Sequence, residues 1–218
     1  MDAIKKIYLA LITVVSFIVV VFINSFIPIS YDIIDRQKTD IDIEKRLETL
    51  NEHLTSCNKE ETPRLVAECQ YPIRNEIKVL EFKQKSRTFD VGPITYYYTG
   101  GEVEVSEHGM AVFNLKMLAE NTGSSDVALI HCSGAYSCNY YVWDGNARFI
   151  FSSHNFAAGN IGINPGQARF FNIVFGPAQG YGNYVDFEYY PSKEYFLLID
   201  EPFGSAQIPL KLVSKMDM

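Results

Sequence analysis

The sequence predicts an all-β domain built as a two-sheet sandwich, carried behind an N-terminal transmembrane helix and a short helical neck. Three observations predict it. An uncharged run extends from Ile7 to Ile29, all 14 glycines fall after Asp90, and short apolar segments separated by turn signals repeat from Phe89 onward.

The run Ile7–Ile29 has 23 residues, about 35 Å as a helix, which exceeds a hydrocarbon core of about 30 Å. Up to Ile23 its only polar breaks are Tyr8, Thr13 and Ser16. A cleaved signal peptide is the competing reading. The apolar part is longer than a signal core of about 7–15 residues, and Asn24–Tyr31 offers no small-x-small cleavage site. Lys5 and Lys6 precede the run while Asp32 and Asp35 follow it, which favours a cytoplasmic N-terminus. The expectation is a single-pass anchor in the cell membrane over residues 1–31, with lipid contact along Ile7–Ile29 and the rest extracytoplasmic.

Cysteine usage points to the same compartment. Cys57 with Cys69, and Cys132 with Cys138, form two close pairs beyond the run. In an exported region they read as two disulfides, although four cysteines permit three connectivities. The net charge of −7, with +1 in the first 31 residues, leaves −8 on the exported part. A phosphate backbone would be repelled, so nucleic acid is excluded as a partner.

The glycine-free stretch 32–87 carries 23 charged residues, against 19 in the longer remainder 88–218. Glycine is costly in helices and useful in tight turns, so the first stretch reads as helical and the second as turn-rich; the boundaries assigned are 32–88 for the neck and 89–218 for the sandwich. Ile43, Leu47, Leu50, Leu54 and Cys57 recur at spacings of 4, 3, 4 and 3, which predicts a helix over about 40–57. Thr62 before Pro63 predicts a helix start and a short second helix through Cys69. From Pro72 to Arg87 a further helix is favoured over a strand. The neck is read as a spacer, with an oligomerisation or partner-binding hairpin as the alternative.

Strand signals then follow in order. Ile94–Tyr98 leads to a turn at Gly100-Gly101, Glu102–Val105 alternates, and Met110–Glu120 ends at Asn121-Thr-Gly123. Val127–Cys132, Asn139–Trp143, Arg148–Ser152, Ala168–Phe175, Tyr195–Ile199 and Gln207–Val213 complete the set. Eleven of 15 phenylalanines, 11 of 14 tyrosines and the single Trp143 lie after residue 88, enough aromatic volume for a sandwich core.

Several of these segments resemble the telokin-like, immunoglobulin-type domains of prokaryotic exported and membrane-anchored proteins, over about residues 100–214. Met110–Gly123 followed by Asp126–Leu129 resembles that family's long strand, Asn-x-Gly turn and returning strand. Tyr141–Phe149 is similar to its hairpin around an Asp-Gly turn, and Ile163-Asn-Pro-Gly166 before Ala168–Phe175 is similar to its Pro-Gly turn before a strand. The aromatic insertion Gly176–Tyr190, the Cys132–Cys138 loop and the helical neck depart from the pattern. The resemblance implies an immunoglobulin-like β-sandwich acting as an extracytoplasmic interaction module, with no catalytic residues to carry over.

Candidate chemistry is sparse. His131-Cys132 with Cys138 and His154 is the one cluster mixing thiol and imidazole, but a five-residue gap containing Gly134 suits a disulfide loop better than a copper or zinc site. Asp144-Gly145-Asn146 lacks the alternating acidic positions of a calcium loop and reads as a hairpin turn. Glu102 and Glu104 share a strand face as paired glycosidase carboxylates would, yet solvent-facing alternation with Val103 and Val105 explains them. No nucleophile elbow, His-Glu-x-x-His pair or phosphate-binding glycine loop is present in the sequence. The expectation is therefore no enzyme, with no catalytic, cofactor-binding or metal residues and no cofactor.

The tyrosine clusters remain. Tyr96-Tyr97-Tyr98, Tyr140-Tyr141 and Tyr189-Tyr190 must each send rings to both sheet faces, and outward aromatics suit protein interfaces. Tyr181, Tyr184, Tyr189 and Tyr190 in the insertion are the expected contact surface. The functional expectation is a membrane-anchored interaction or scaffold protein, an accessory subunit docking another membrane or exported protein; the alternative is a glycan- or metal-binding receptor domain.

Overall fold

The computed structural model describes residues 40–105, 109–132, 138–154, 160–177 and 187–214. The expected span Ile7–Ile29, and Tyr181 and Tyr184, lie outside them. Among the described residues no helix is long and apolar enough to cross a membrane. The chain divides into two compact units, Met1–Leu80 and Glu81–Met218.

The first unit holds a helical hairpin: α1 over 40–57 and most of α2, Pro63–Lys85. The predicted stripe explains the pairing, because Leu50 and Cys57 are buried and Ile43, Leu47 and Leu54 are half-buried. Val66, Cys69, Ile73, Ile77 and Leu80 form the answering stripe on α2. The Cys57–Cys69 disulfide closes one end, and the Arg46 guanidinium donates to Glu76 at 2.8 Å further along. Thr62 caps α2, its hydroxyl accepting the Leu65 N–H at 3.3 Å. Contrary to the sequence reading, α2 does not stop near Cys69 but runs straight through Pro72. An interior proline forfeits one helical hydrogen bond, but the apolar stripe continues unbroken on both sides of it, and packing against α1 outweighs the loss.

The second unit is mostly β, with eleven strands among the described residues: β1 Arg87–Val91, β2 Ile94–Val105, β3 Ala111–Asn121, β4 Val127–Leu129, β5 Tyr140–Trp143, β6 Arg148–His154, β7 Ile161–Ile163, β8 Ala168–Gly176, β9 Phe196–Glu201, β10 Gly204–Pro209 and β11 Leu212–Ser214. Hydrogen bonding runs β1-β2-β3-β8-β6-β5-β9-β10, with β11 on β2 and β4 paired to β7. The path folds into two layers at β6. Its start pairs with β5 through Phe149 and Arg148, while from Ile150 onward it pairs with β8, with a register shift between Phe151 and Ser153. The strand thus passes from one layer to the other between Phe149 and Ile150, and the irregularity just beyond adds to its bend.

The core fills the space between the layers with Phe113, Phe149, Phe171, Phe175, Leu115 and Met117, all fully buried. Phe113 and Phe149 meet edge-on with centroids 4.8 Å apart. The last turn of α2, which belongs to this unit, packs Phe82 edge-on against Phe170 at 5.1 Å. Lys83 reaches Glu120 at 2.6 Å, whose other oxygen accepts the Tyr97 hydroxyl at 2.7 Å.

Three sequence expectations change. Strand β1 begins at Arg87, inside the stretch read as neck, because a two-residue Gly92-Pro93 turn folds it onto Ile94–Tyr98; Gly92 supplies the positive φ of 55° that this turn needs. Gly100-Gly101 is not a hairpin turn but an irregularity within one long strand. There β11 arrives in parallel, pairing Leu212 with Gly101. Finally, Val127–Cys132 is strand only to Leu129, because Ile130 takes a left-handed φ of 61°.

Candidate functional site

Two features of the β unit stand out once the strands are placed. The first is the outer face of the layer formed by β6, β5, β9 and β10. Strand alternation buries Tyr140 and Val142 and turns Tyr141 and Trp143 outward, where both are half-buried. On β9, Leu197 and Ile199 point inward, leaving Phe196 and Leu198 half-exposed on the outside. Register then sets Tyr141 beside Leu198 and Trp143 beside Phe196, so the four side chains form one apolar patch. The Arg148 guanidinium lies over the Tyr141 ring, 3.9 Å from its centroid, an arrangement that holds a cation on an aromatic surface.

The adjoining turn is rigidly built. Asp144 accepts the backbone N–H groups of Asn146 and Ala147 and pairs with Lys193 at 3.1 Å. Burial opposes ionisation of Asp144, but these two N–H donors and Lys193 outweigh it and hold the carboxyl below its ordinary range. Lys193 in turn sits 4.6 Å above the Tyr190 ring. Of the expected contact tyrosines, Tyr189 stacks on Tyr195 at 5.5 Å and packs against the core. Tyr190 is 36% exposed. Tyr181 and Tyr184 lie outside the described residues. Glu102 and Glu104 are exposed around a buried Val103, and Asp144-Gly145-Asn146 forms the hairpin between Trp143 and Arg148.

The second feature is a buried polar chain that no sequence motif announces. The Tyr96 and Tyr140 hydroxyls lie 2.7 Å apart, joining β2 in one layer to β5 in the other. Tyr140 donates to Glu201 Oε1 at 2.8 Å, and the Ile130 N–H donates to the same oxygen at 3.0 Å. Burial pushes the Tyr140 hydroxyl well above the usual phenol range, with Tyr96 and Glu201 adding to the shift. Glu201 Oε2 has no hydrogen-bond partner and lies 3.8 Å from His131 Nε2. His131 is held by two bonds: its N–H donates to Asn139 Oδ1 at 2.8 Å, and its Nε2 lies 3.0 Å from the Ala128 carbonyl. The Cys132–Cys138 disulfide follows directly in the chain.

The outer patch was half legible. The alternation Tyr140-Tyr141-Val142-Trp143 fixes opposite faces for neighbouring rings, but only the register with β9 shows that Phe196 and Leu198 join them. Glu201 carried no signal, since it lies 61 residues from Tyr140 and meets it only through the pairing of β5 with β9.

No family model matches the chain, and no curated protein matches it. Among solved structures it is similar to the copper-bound PCuAC domain from PmoF2, at 16% identity and TM-score 0.37, covering 59% of this chain and 98% of that domain. It is similar at 12% identity and TM-score 0.37 to a lipoprotein, YcdA, from Bacillus subtilis, covering 58% of this chain and 38% of that one. It is also similar to a β-sandwich protein from Clostridium difficile, at 8% identity and TM-score 0.36, covering 58% and 91% of the two chains.

Proposed function

We propose that this chain is a membrane-anchored extracytoplasmic interaction protein and not an enzyme, an accessory subunit that docks another membrane or exported protein. The outer face of the β6-β5-β9-β10 layer carries the reading. Trp143, Tyr141 and Arg148 are the three residue types that dominate interface energetics, and here they stand together with Phe196 and Leu198 on a sheet surface. On a chain of net charge −7, Arg148 sets a cation on this patch. The partner surface that fits is apolar with a carboxylate opposite Arg148. Two disulfides suit an oxidising compartment, and the uncharged run Ile7–Ile29 supplies the anchor, N-terminus inward.

The layers place β2, β3 and β8 together and β5, β9 and β10 together. Immunoglobulin-type sandwiches group strands A, B and E against C, F and G in the same way, which supports the immunoglobulin-like form.

Site-specific photocrosslinking in native membranes tests the docking face. A photoreactive residue at exposed Gln207 on β10 is expected to capture one recurrent protein, and the same residue at exposed Glu102 on β2 is expected not to. Trp143→Ala and Arg148→Glu should abolish the Gln207 product. Equal capture from both positions, or capture indifferent to both substitutions, would rule this face out.

A further inference from the structure

The Glu201 side chain has no exposed surface. Its Oε1 is saturated by Tyr140 and Ile130, while its Oε2 has no hydrogen-bond partner and faces His131. Leaving a buried carboxylate oxygen so placed is costly unless a cation or donor completes it. The backbone beside it is also held at a cost: Ile130 is a β-branched residue at φ 61°, a conformation such residues avoid. That conformation delivers the Ile130 N–H to Oε1 and sets the next residue, His131, over Oε2. Strain of this kind persists where it positions working groups.

Three different donor atoms meet here. His131 Nε2 is 3.8 Å from Glu201 Oε2 and 3.0 Å from the Ala128 carbonyl oxygen. Two atoms each bonded at about 2.1 Å to one metal ion stand at most about 4.2 Å apart, and both separations from Nε2 fall within that limit. The supports expected of a metal ligand are present as well. Tyr140 fixes the carboxylate and is fixed by Tyr96, and the His131 backbone is tied to Asn139. The His131 side chain is 46% exposed, which gives an ion a way in and water room to fill the remaining positions. Among the described residues no three His, Cys, Asp or Glu side chains converge, so the site draws on a backbone carbonyl as its third protein donor.

We propose that His131 Nε2 and Glu201 Oε2, with the Ala128 carbonyl, bind a divalent transition-metal ion. One imidazole, one carboxylate and one carbonyl suit Zn²⁺ or Cu²⁺ and supply too few oxygens for Ca²⁺. On binding, the ring proton moves from Nε2, which faces the Ala128 carbonyl, to Nδ1, and the freed Nε2 lone pair takes the ion. The site is independent of the docking face and stands or falls separately.

The test is equilibrium dialysis of the detergent-solubilised full chain, cleared with a chelator, against Zn²⁺ and in parallel Cu²⁺, with bound metal read by mass spectrometry. Saturable binding is expected, weakened about tenfold or more by His131→Ala and unaltered by His53→Ala. Glu201→Gln should weaken it similarly; if that variant fails to fold, as Trp143 fluorescence would reveal, the exposed His131→Ala decides alone. Absence of saturable binding of either ion, or equal binding by His131→Ala, would overturn the site and leave Oε2 with a buried water only.

Discussion

The hydroxyl of Tyr96 on β2 and the hydroxyl of Tyr140 on β5 meet at 2.7 Å in the middle of the sandwich. Both residues are fully buried, so neither hydroxyl has water to fall back on. Tyr140→Phe strands the Tyr96 hydroxyl and leaves Glu201 Oε1 with one donor, and is expected to cost about 2–3 kcal/mol. Tyr96→Phe leaves Tyr140 bonded to Glu201 and should cost about 1 kcal/mol. Urea unfolding followed by Trp143 fluorescence measures both, and the double variant should lose less than their sum.

Alkali should unfold the β unit through its phenols. Burial raises Tyr96, Tyr97, Tyr98, Tyr140 and Tyr195 above the ordinary tyrosine value of 10.0. A raised folded value means the neutral form is favoured by folding. The stabilisation is complete below the unfolded value near 10 and is lost as pH climbs from there toward the folded values. Phenolate absorbance should therefore lag the normal tyrosine curve and then rise together with loss of the Trp143 signal. A titration that follows the normal curve in folded protein would contradict this.

Acid acts at one identified turn. Because the Asp144 value is depressed on folding, its contribution is present above the unfolded carboxyl value near 4 and fades as pH falls through the folded value. Asp144→Asn should lower stability at pH 7 and flatten the dependence of unfolding midpoint on pH below about 4. An unchanged acid limb would show that the turn holds without the charge.

The two units should respond separately to loss of Cys57–Cys69. The bridge closes a loop with a sequence separation of 12, for which chain-entropy arguments give about 3 kcal/mol. Replacing both cysteines by serine should speed amide exchange across 40–57 and 63–80. The urea midpoint reported by Trp143 should stay where it is.

Gly101→Ala tests a crowded point in the sheet. A β-carbon there would collide with Leu115 Cδ2 and stand 3.2 Å from both Leu212 Cδ2 and the Tyr98 hydroxyl. Overpacking of this kind costs about 1–3 kcal/mol. Gly162→Ala, where an added methyl meets nothing within 4 Å, is the control and should change the midpoint little.

What the sequence disclosed and what it hid divide along physical lines. Local periodicity is written in neighbouring residues, so the Ile43–Cys57 stripe, the Thr62-Pro63 start and strands such as Ala111–Asn121 were readable. Glycine pairs were ambiguous. Gly100-Gly101 has the composition of a turn, and only tertiary pairing, with Leu115 on β3 and Leu212 on β11, makes it a crowded crossing. Pro72 has the composition of a stop, yet the packing of α1 carries the helix through. The polar chain was least visible, because a glutamate at a strand end looks solvated until tertiary pairing places it under His131.

The parallel pairing of β11 with β2 has a consequence for assembly. The β2 segment Gly101–Val103 has β3 on one side from early on, but its other neighbour is Leu212–Ser214. A chain synthesised from its N-terminus holds that ladder open until Leu212–Ser214 has been made. During that interval the β2 edge presents unpaired backbone groups, and removing Leu212–Ser214 would leave it permanently unzipped.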